Sequence, residues 1–84
     1  MRNAIVTGAT KGIGLAVARM LLKEGYHVVV TYAHDQKAAD DCREQLAKVS
    51  PHFEIIKADQ SSRDDMRKFA ASMAKIETVD CIVC

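Results

Sequence analysis

Eighty-four residues suffice for one small domain with a modest core, and 49% hydrophobic with 27% charged residues is the balance of an ordinary globular protein. A formal charge of +1 offers no basic surface for nucleic acid or a membrane, and no apolar run approaches the roughly 20 residues of a span. Met1-Arg2-Asn3 runs directly into an apolar segment and leaves no room for a secretion signal, so a cytoplasmic location is expected.

Ala4–Val6 is a short apolar run closed by a turn signal, the pattern of a strand covered on both faces. Gly8, Gly12 and Gly14 follow with the spacing Gly-x-x-x-Gly-x-Gly. Beyond them Ile13, Ala16, Val17, Met20 and Leu21 recur at helical spacing and predict a helix with that stripe on the core. Three glycines thus stand where a strand hands over to a helix N-terminus, whose unpaired N–H groups and partial positive charge suit a phosphate. Gly8 is expected to turn sharply with φ > 0, Gly12 to admit a pyrophosphate to the backbone, and Gly14 to let the helix lie close on the strand. The spacing is not the Gly-x-Gly-x-x-Gly of the general dinucleotide fingerprint, and no Gly-Lys-Ser/Thr follows Gly8 as a Walker loop requires. A turn without a ligand is the plainer alternative, but three glycines are a costly way to make one.

The helix is expected to end near Lys23-Glu24-Gly25, with Gly25 left-handed. Tyr26–Tyr32, rich in β-branched and aromatic residues, reads as a second strand. A helix from Asp35 or Gln36 to Val49 follows, with Ala39, Cys42, Leu46 and Val49 on one face and a solvated charged face opposite; Ser50-Pro51 stops it. Phe53–Ala58 makes a third strand, flanked by Asp59. Ser62 with Asp65 resembles a capping box opening a helix to about Lys75, with Met66, Phe69, Ala70 and Met73 on its apolar face. Val79–Cys84 reads as a fourth strand. Four strands alternating with three helices imply a parallel α/β sheet ordered 3-2-1-4, whose direction reverses between the first and fourth strands, at the glycine loop.

The three cysteines, Cys42, Cys81 and Cys84, are expected to be reduced thiols. Cys81-x-x-Cys84 falls in a strand, where a separation of three puts the side chains on opposite faces, and no histidine joins it, so neither a redox pair nor a metal site is expected.

Thr7-Gly8-Ala9-Thr10-Lys11-Gly12-Ile13-Gly14 resembles the Thr-Gly-x-x-x-Gly-Ile-Gly cofactor loop of the short-chain dehydrogenase/reductase family. The likeness continues through Ala58-Asp59, similar to the family's Asp after the third strand, and through the fourth strand that leads to its Asn-Asn-Ala-Gly motif, where Cys84 replaces the first Asn. The resemblance implies the first half of a doubly wound Rossmann-type domain, here residues 1–84 and incomplete. It also implies that Gly8, Thr10, Lys11, Gly12, Ile13 and Gly14 contact a dinucleotide, with Asp59 and Gln60 on the adenine ring. The expected parent is an oxidoreductase moving hydride between NADP(H) and a small carbonyl or alcohol substrate, a 3-oxoacyl reductase being among the kinds that fit. The family's Tyr-x-x-x-Lys is missing: Tyr26 and Tyr32 are the only tyrosines, and Val30 and Gln36 stand where the lysine belongs. No catalytic residue is therefore assigned to this chain, and a stand-alone nucleotide-binding or regulatory module is the alternative. A homo-oligomer is expected, and an unpaired fourth strand should make a chain of this length associate.

NAD sites place an acid about 20 residues past the glycine loop to hold the ribose 2′-OH. That position falls at or beside Tyr32, and no acid lies from Tyr26 to His34. With Lys11 in the loop and His34 as a further donor, NADP(H) is preferred over NAD(H).

Overall fold

The computed structural model describes residues 2–8, 10, 12–76 and 78–83. The elements are β1 (Asn3–Thr7), α1 (Gly12–Lys23), β2 (His27–Tyr32), α2 (Gln36–Ala47), β3 (Phe53–Lys57), α3 (Arg63–Ala74) and β4 (Cys81–Val83). They form a parallel sheet ordered β3-β2-β1-β4, as the alternation of elements implied. Ile5 stands beside Val29 in β2 and Ile82 in β4, and Val30 beside Ile55 in β3.

The two faces of the sheet are covered unequally. Ala4, Val6, Val28 and Val30 point to one side and pack with Ala18, Leu21 and Leu22 of α1 and Cys42 and Leu46 of α2. The alternate residues point to the other side, where α3 lies alone. There Val29 is fully buried and Ile5 nearly so, but Ile82 is 64% exposed and α3 buries none of its residues fully. Ala70, expected on the apolar face of α3, is exposed; Asp65, Met66, Phe69, Ser72 and Met73 make the half-buried side.

The face of α1 also differs from the expected one. Ile13 is 85% and Met20 56% exposed, and Ala16 is exposed too, whereas Ala18, Leu21 and Leu22 are buried with Val17 packed beside them. Apolar residues run almost all the way round this helix, so periodicity alone does not choose its phase. The sheet chooses the stripe where small Ala18, one turn after Gly14, allows close approach.

Helix ends follow from local chemistry. The Gly25 N–H donates to the Leu22 carbonyl (3.1 Å) and the Tyr26 N–H to that of Leu21 (3.0 Å), closing α1 with Gly25 at φ +91°. The Asp35 carboxylate accepts the Ala38 N–H (2.9 Å) and starts α2. α2 stops at Ala47, short of Val49, because Pro51 has no N–H for the carbonyl four residues behind it. β4 begins only at Cys81. Before it, the Asp80 N–H donates to the Asn3 carbonyl, the Asp80 carboxylate accepts the Asn3 N–H (both 2.8 Å), and the Asn3 side chain donates to the Thr78 carbonyl (2.9 Å).

Candidate functional site

In a parallel sheet the strand carboxyl ends share one edge, and here they converge on the turn after β1. A cleft of about 430 Å³ opens there, lined by Thr7, Gly8, Thr31, Tyr32, Ala33, Ala58, Asp59 and Gln60. A smaller hollow of about 130 Å³ continues beneath α3, bounded by Thr7, Thr31, Ala58, Gln60, Met66 and Phe69. A separate depression of about 380 Å³, with Asn3, His27 and Glu54 in its wall, lies at the amino ends of the strands, away from the usual ligand position of such sheets.

Gly8 (φ +62°) and Gly12 (φ +66°) both hold the left-handed conformation that side chains resist. A Cβ on either would meet no described atom within 4 Å beyond its chain neighbours and its own helix, so both glycines face open space among the described residues. The Gly8 N–H donates to the Thr31 hydroxyl and the Thr7 hydroxyl to the Val83 carbonyl, both at 3.4 Å, tying the turn to β2 and β4. Thr10 is buried at 7% exposure, Gly14 is half-buried, and Ile13 faces solvent. Lys11 and Cys84 lie outside the described residues.

Asp59 is held from several directions. One carboxylate oxygen, Oδ1, accepts the Ser61 N–H (2.9 Å) and the Ser61 hydroxyl (2.7 Å). Its own N–H donates to the Asp65 carboxylate (3.1 Å). The capping box is therefore half formed: Ser62 Oγ accepts the Asp65 N–H (3.2 Å), while the Asp65 carboxylate turns back to Asp59. The Ser61 hydrogen bonds outweigh the opposing effect of burial and, with lesser help from His34 and Lys57, hold the Asp59 carboxyl below its ordinary value, so it stays ionised. His34 Nδ1 stands 3.6 Å from Asp59 Oδ2. Ala58 N–H donates to the Tyr32 carbonyl (2.7 Å), bringing the turns after β2 and β3 together.

Four of the ten expected residues, Gly8, Tyr32, Asp59 and Gln60, line the cleft, and His34 approaches it through Asp59. Thr10, Gly12, Ile13 and Gly14 are not among the lining residues. Sequence reasoning missed Thr7, Thr31, Ala33 and Ala58. Thr7 and Thr31 stand side by side in the register at two strand ends, a pairing visible once the sheet order is known. Tyr32 donates its hydroxyl to Gln36 (2.8 Å), whose amide donates to Asp40 (3.0 Å). The Arg2 guanidinium lies over the Tyr26 ring, 6.0 Å from its centre. A side-chain hydrogen bond with Tyr26, and then the charges of Tyr26 and Asp80, raise the Arg2 pKa. Among the described residues no group of His, Cys, Asp and Glu is placed to hold a metal ion.

A parallel sheet reversing direction at a left-handed glycine turn, with an ionised acid across the cleft, defines a Rossmann-like α/β protein. The model of the short chain dehydrogenase family matches residues 2–84, and the chain belongs to that family of oxidoreductases. It is 35% identical over 69 residues to the L-rhamnose 1-dehydrogenase (NADP(+)) of Thermoplasma acidophilum, covering 82% of this chain and 27% of that protein. It is 30% identical over 83 residues to a 3-oxoacyl-acyl-carrier-protein reductase of Staphylococcus epidermidis, covering 98% of this chain and 34% of the relative. Among solved structures it is similar to a variant of actinorhodin polyketide ketoreductase with NADPH, at TM-score 0.79 and 32% identity over 96% of this chain and 31% of the other. A metagenomic short-chain oxidoreductase in complex with NADP has TM-score 0.78 and 32% identity, with 96% and 37% covered. The chain thus spans about a third of the length of these proteins. No helix among the described residues is long and apolar enough to cross a membrane.

Proposed function

We propose that the chain is the dinucleotide-binding portion, residues 1–84, of an oxidoreductase that moves hydride between NADP(H) and a small carbonyl or alcohol substrate. The observation that carries this reading is the pair of left-handed glycines, Gly8 and Gly12, opening onto free space where the sheet reverses direction. In this reading the pyrophosphate lies over Gly8, Thr10, Gly12, Ile13 and Gly14, with the N-terminus of α1 beneath it. Asp59 accepts the adenine amine while Gln60 meets the ring edge. Tyr32, His34 and Lys11 are assigned to the ribose 2′ position, and from Tyr26 to His34 no acid stands where NAD sites hold the 2′-OH. The nicotinamide supplies the hydride when bound, and this chain orients it. The Tyr32 hydroxyl donates a hydrogen bond to Gln36, and Tyr26 lies with Arg2 and Asp80 at the amino ends of the strands, so neither is assigned as proton donor. A 3-oxoacyl group is one substrate class that the Staphylococcus relative supports. A cytoplasmic, homo-oligomeric parent completes the reading.

The test is titration calorimetry of NADPH and NADH on wild type and Lys11→Ala. NADPH is expected to bind more tightly, with the difference reduced in the variant. Tighter binding of NADH, or a preference untouched by the substitution, would overturn the cofactor assignment.

A further inference from the structure

We propose that Ser61 is a positioning residue of the nucleotide site. It holds the Asp59 carboxylate so that one oxygen is left for an amino group, and the site thereby takes a 6-aminopurine in preference to a 6-oxopurine. This rests on the dinucleotide reading, and adds to it the residue that aims Asp59 and the base that is turned away.

Every hydrogen-bonding atom of Asp59 but one is already engaged. Its N–H donates to the Asp65 carboxylate (3.1 Å), and its carbonyl accepts the Ser62 N–H (3.0 Å). Oδ1 accepts both the Ser61 N–H (2.9 Å) and the Ser61 hydroxyl (2.7 Å). Among the described residues no hydrogen bond reaches Oδ2, which has the exposed ring of His34 at 3.6 Å. The two backbone bonds fix where the Asp59 side chain starts, and the Ser61 bonds fix how its plane is turned. A carboxylate alone sweeps a broad well about its last torsion. Two donors on one oxygen, the hydroxyl the shorter, remove that freedom and present Oδ2 in one direction. Ser61 does this from outside the cleft: it is exposed and is not among the lining residues, whereas Ala58, Asp59 and Gln60 are. The same bonds, the Ser61 N–H first and the hydroxyl second, lower the Asp59 carboxyl, so the oxygen that is left carries charge. An ionised carboxylate is an acceptor only; it attracts an N–H and repels an oxygen. Adenine has an amine at the ring position where a 6-oxopurine has a carbonyl oxygen. An acceptor already held in place separates the two more sharply than one that must first be ordered.

The experiment is titration calorimetry of NADPH and of its 6-oxo analogue, nicotinamide hypoxanthine dinucleotide phosphate, on the whole chain at neutral pH. Wild type, Ser61→Ala, Ser61→Thr and Ser62→Ala are compared, and wild type should prefer NADPH. Ser61→Ala removes the hydroxyl bond alone and should weaken NADPH binding roughly threefold to tenfold, the size of one hydrogen bond, while changing the analogue by less than about twofold. Ser61→Thr keeps a hydroxyl and should restore the preference. Ser62→Ala strips the cap of α3 and should lower the melting temperature without altering the ratio of the two affinities. Equal weakening of both dinucleotides in Ser61→Ala, no weakening, no restoration in Ser61→Thr, or the same loss of preference in Ser62→Ala would overturn the role of Ser61 and leave the dinucleotide reading standing. Equal affinity for both in wild type would overturn the selection of a 6-aminopurine, and this inference with it. Failure of both to bind would overturn the dinucleotide reading itself.

Discussion

Replacing Gly12 by valine separates what the glycine turn costs the fold from what it does for a ligand. At φ +66° a side chain forces a conformation that L-residues resist, at about 1–2 kcal/mol and more for a β-branched residue. The new Cβ itself meets no described atom within 4 Å beyond its chain neighbours and its own helix, so the backbone conformation is the main cost. For a chain of this size the melting temperature should fall by roughly 4–16 °C. Gly25→Val is the matched control, because Gly25 is also left-handed (φ +91°) and surrounded by open space, but closes the far end of α1. Both variants should lose similar stability in thermal melts followed by circular dichroism. Only Gly12→Val should also lose NADPH affinity, by more than about tenfold, or 1.4 kcal/mol, in calorimetry well below either melting point. Equal loss of affinity in the two variants would mean that the loop acts through stability alone. Unchanged affinity in Gly12→Val would show that the pyrophosphate lies elsewhere.

Two further outcomes test the core and the site. Leu46→Ala empties a fully buried position between α2 and the sheet and should cost about 2–5 kcal/mol, a large share of the roughly 5–15 kcal/mol of a whole domain; a loss below about 1 kcal/mol in urea melts would contradict the packing described. Asp59 ionises more readily folded than unfolded, so its contribution is complete above the ordinary carboxylate value of 3.8 and is lost as pH falls through the lowered folded value. Wild type should therefore lose stability on acidification more steeply than Asp59→Asn in melts taken from about pH 6 downward, and identical slopes would refute the Ser61 clasp.

Element order and sheet topology were legible in the sequence because each boundary has a local chemical cause. Gly25 ends α1, Asp35 and Ser62 start α2 and α3, and Pro51 forbids a longer α2. The glycine turn was legible for the same reason, since its conformation belongs to the residues that adopt it. The buried side of α1 was not legible: Ile13, Ala16 and Met20 repeat as regularly as Gly14, Ala18 and Leu21, and only the sheet decides between the two stripes. Asp65 illustrates another limit. Its spacing from Ser62 fits a capping box, yet its carboxylate goes to the Asp59 N–H, a partner that exists only once the turn before α3 has formed. Thr31 and the His34–Asp59 approach likewise depend on which strands lie side by side.

α1 and α2 share the sealed side of the sheet, whereas α3 holds its own side alone and without a fully buried residue. Lifting α3 therefore takes less free energy than unfolding the whole chain, and its amides should exchange with solvent hydrogen well before those of β1 or β2. The bond from the Asp59 N–H to the Asp65 carboxylate joins this loosest helix to the rim of the cleft. On the proposed reading, a nucleotide seated against Asp59 would bind the closed arrangement better than the lifted one and by mass action would hold α3 down. Occupancy of the cleft is then recorded as slowed exchange along a helix whose outer turns touch no ligand.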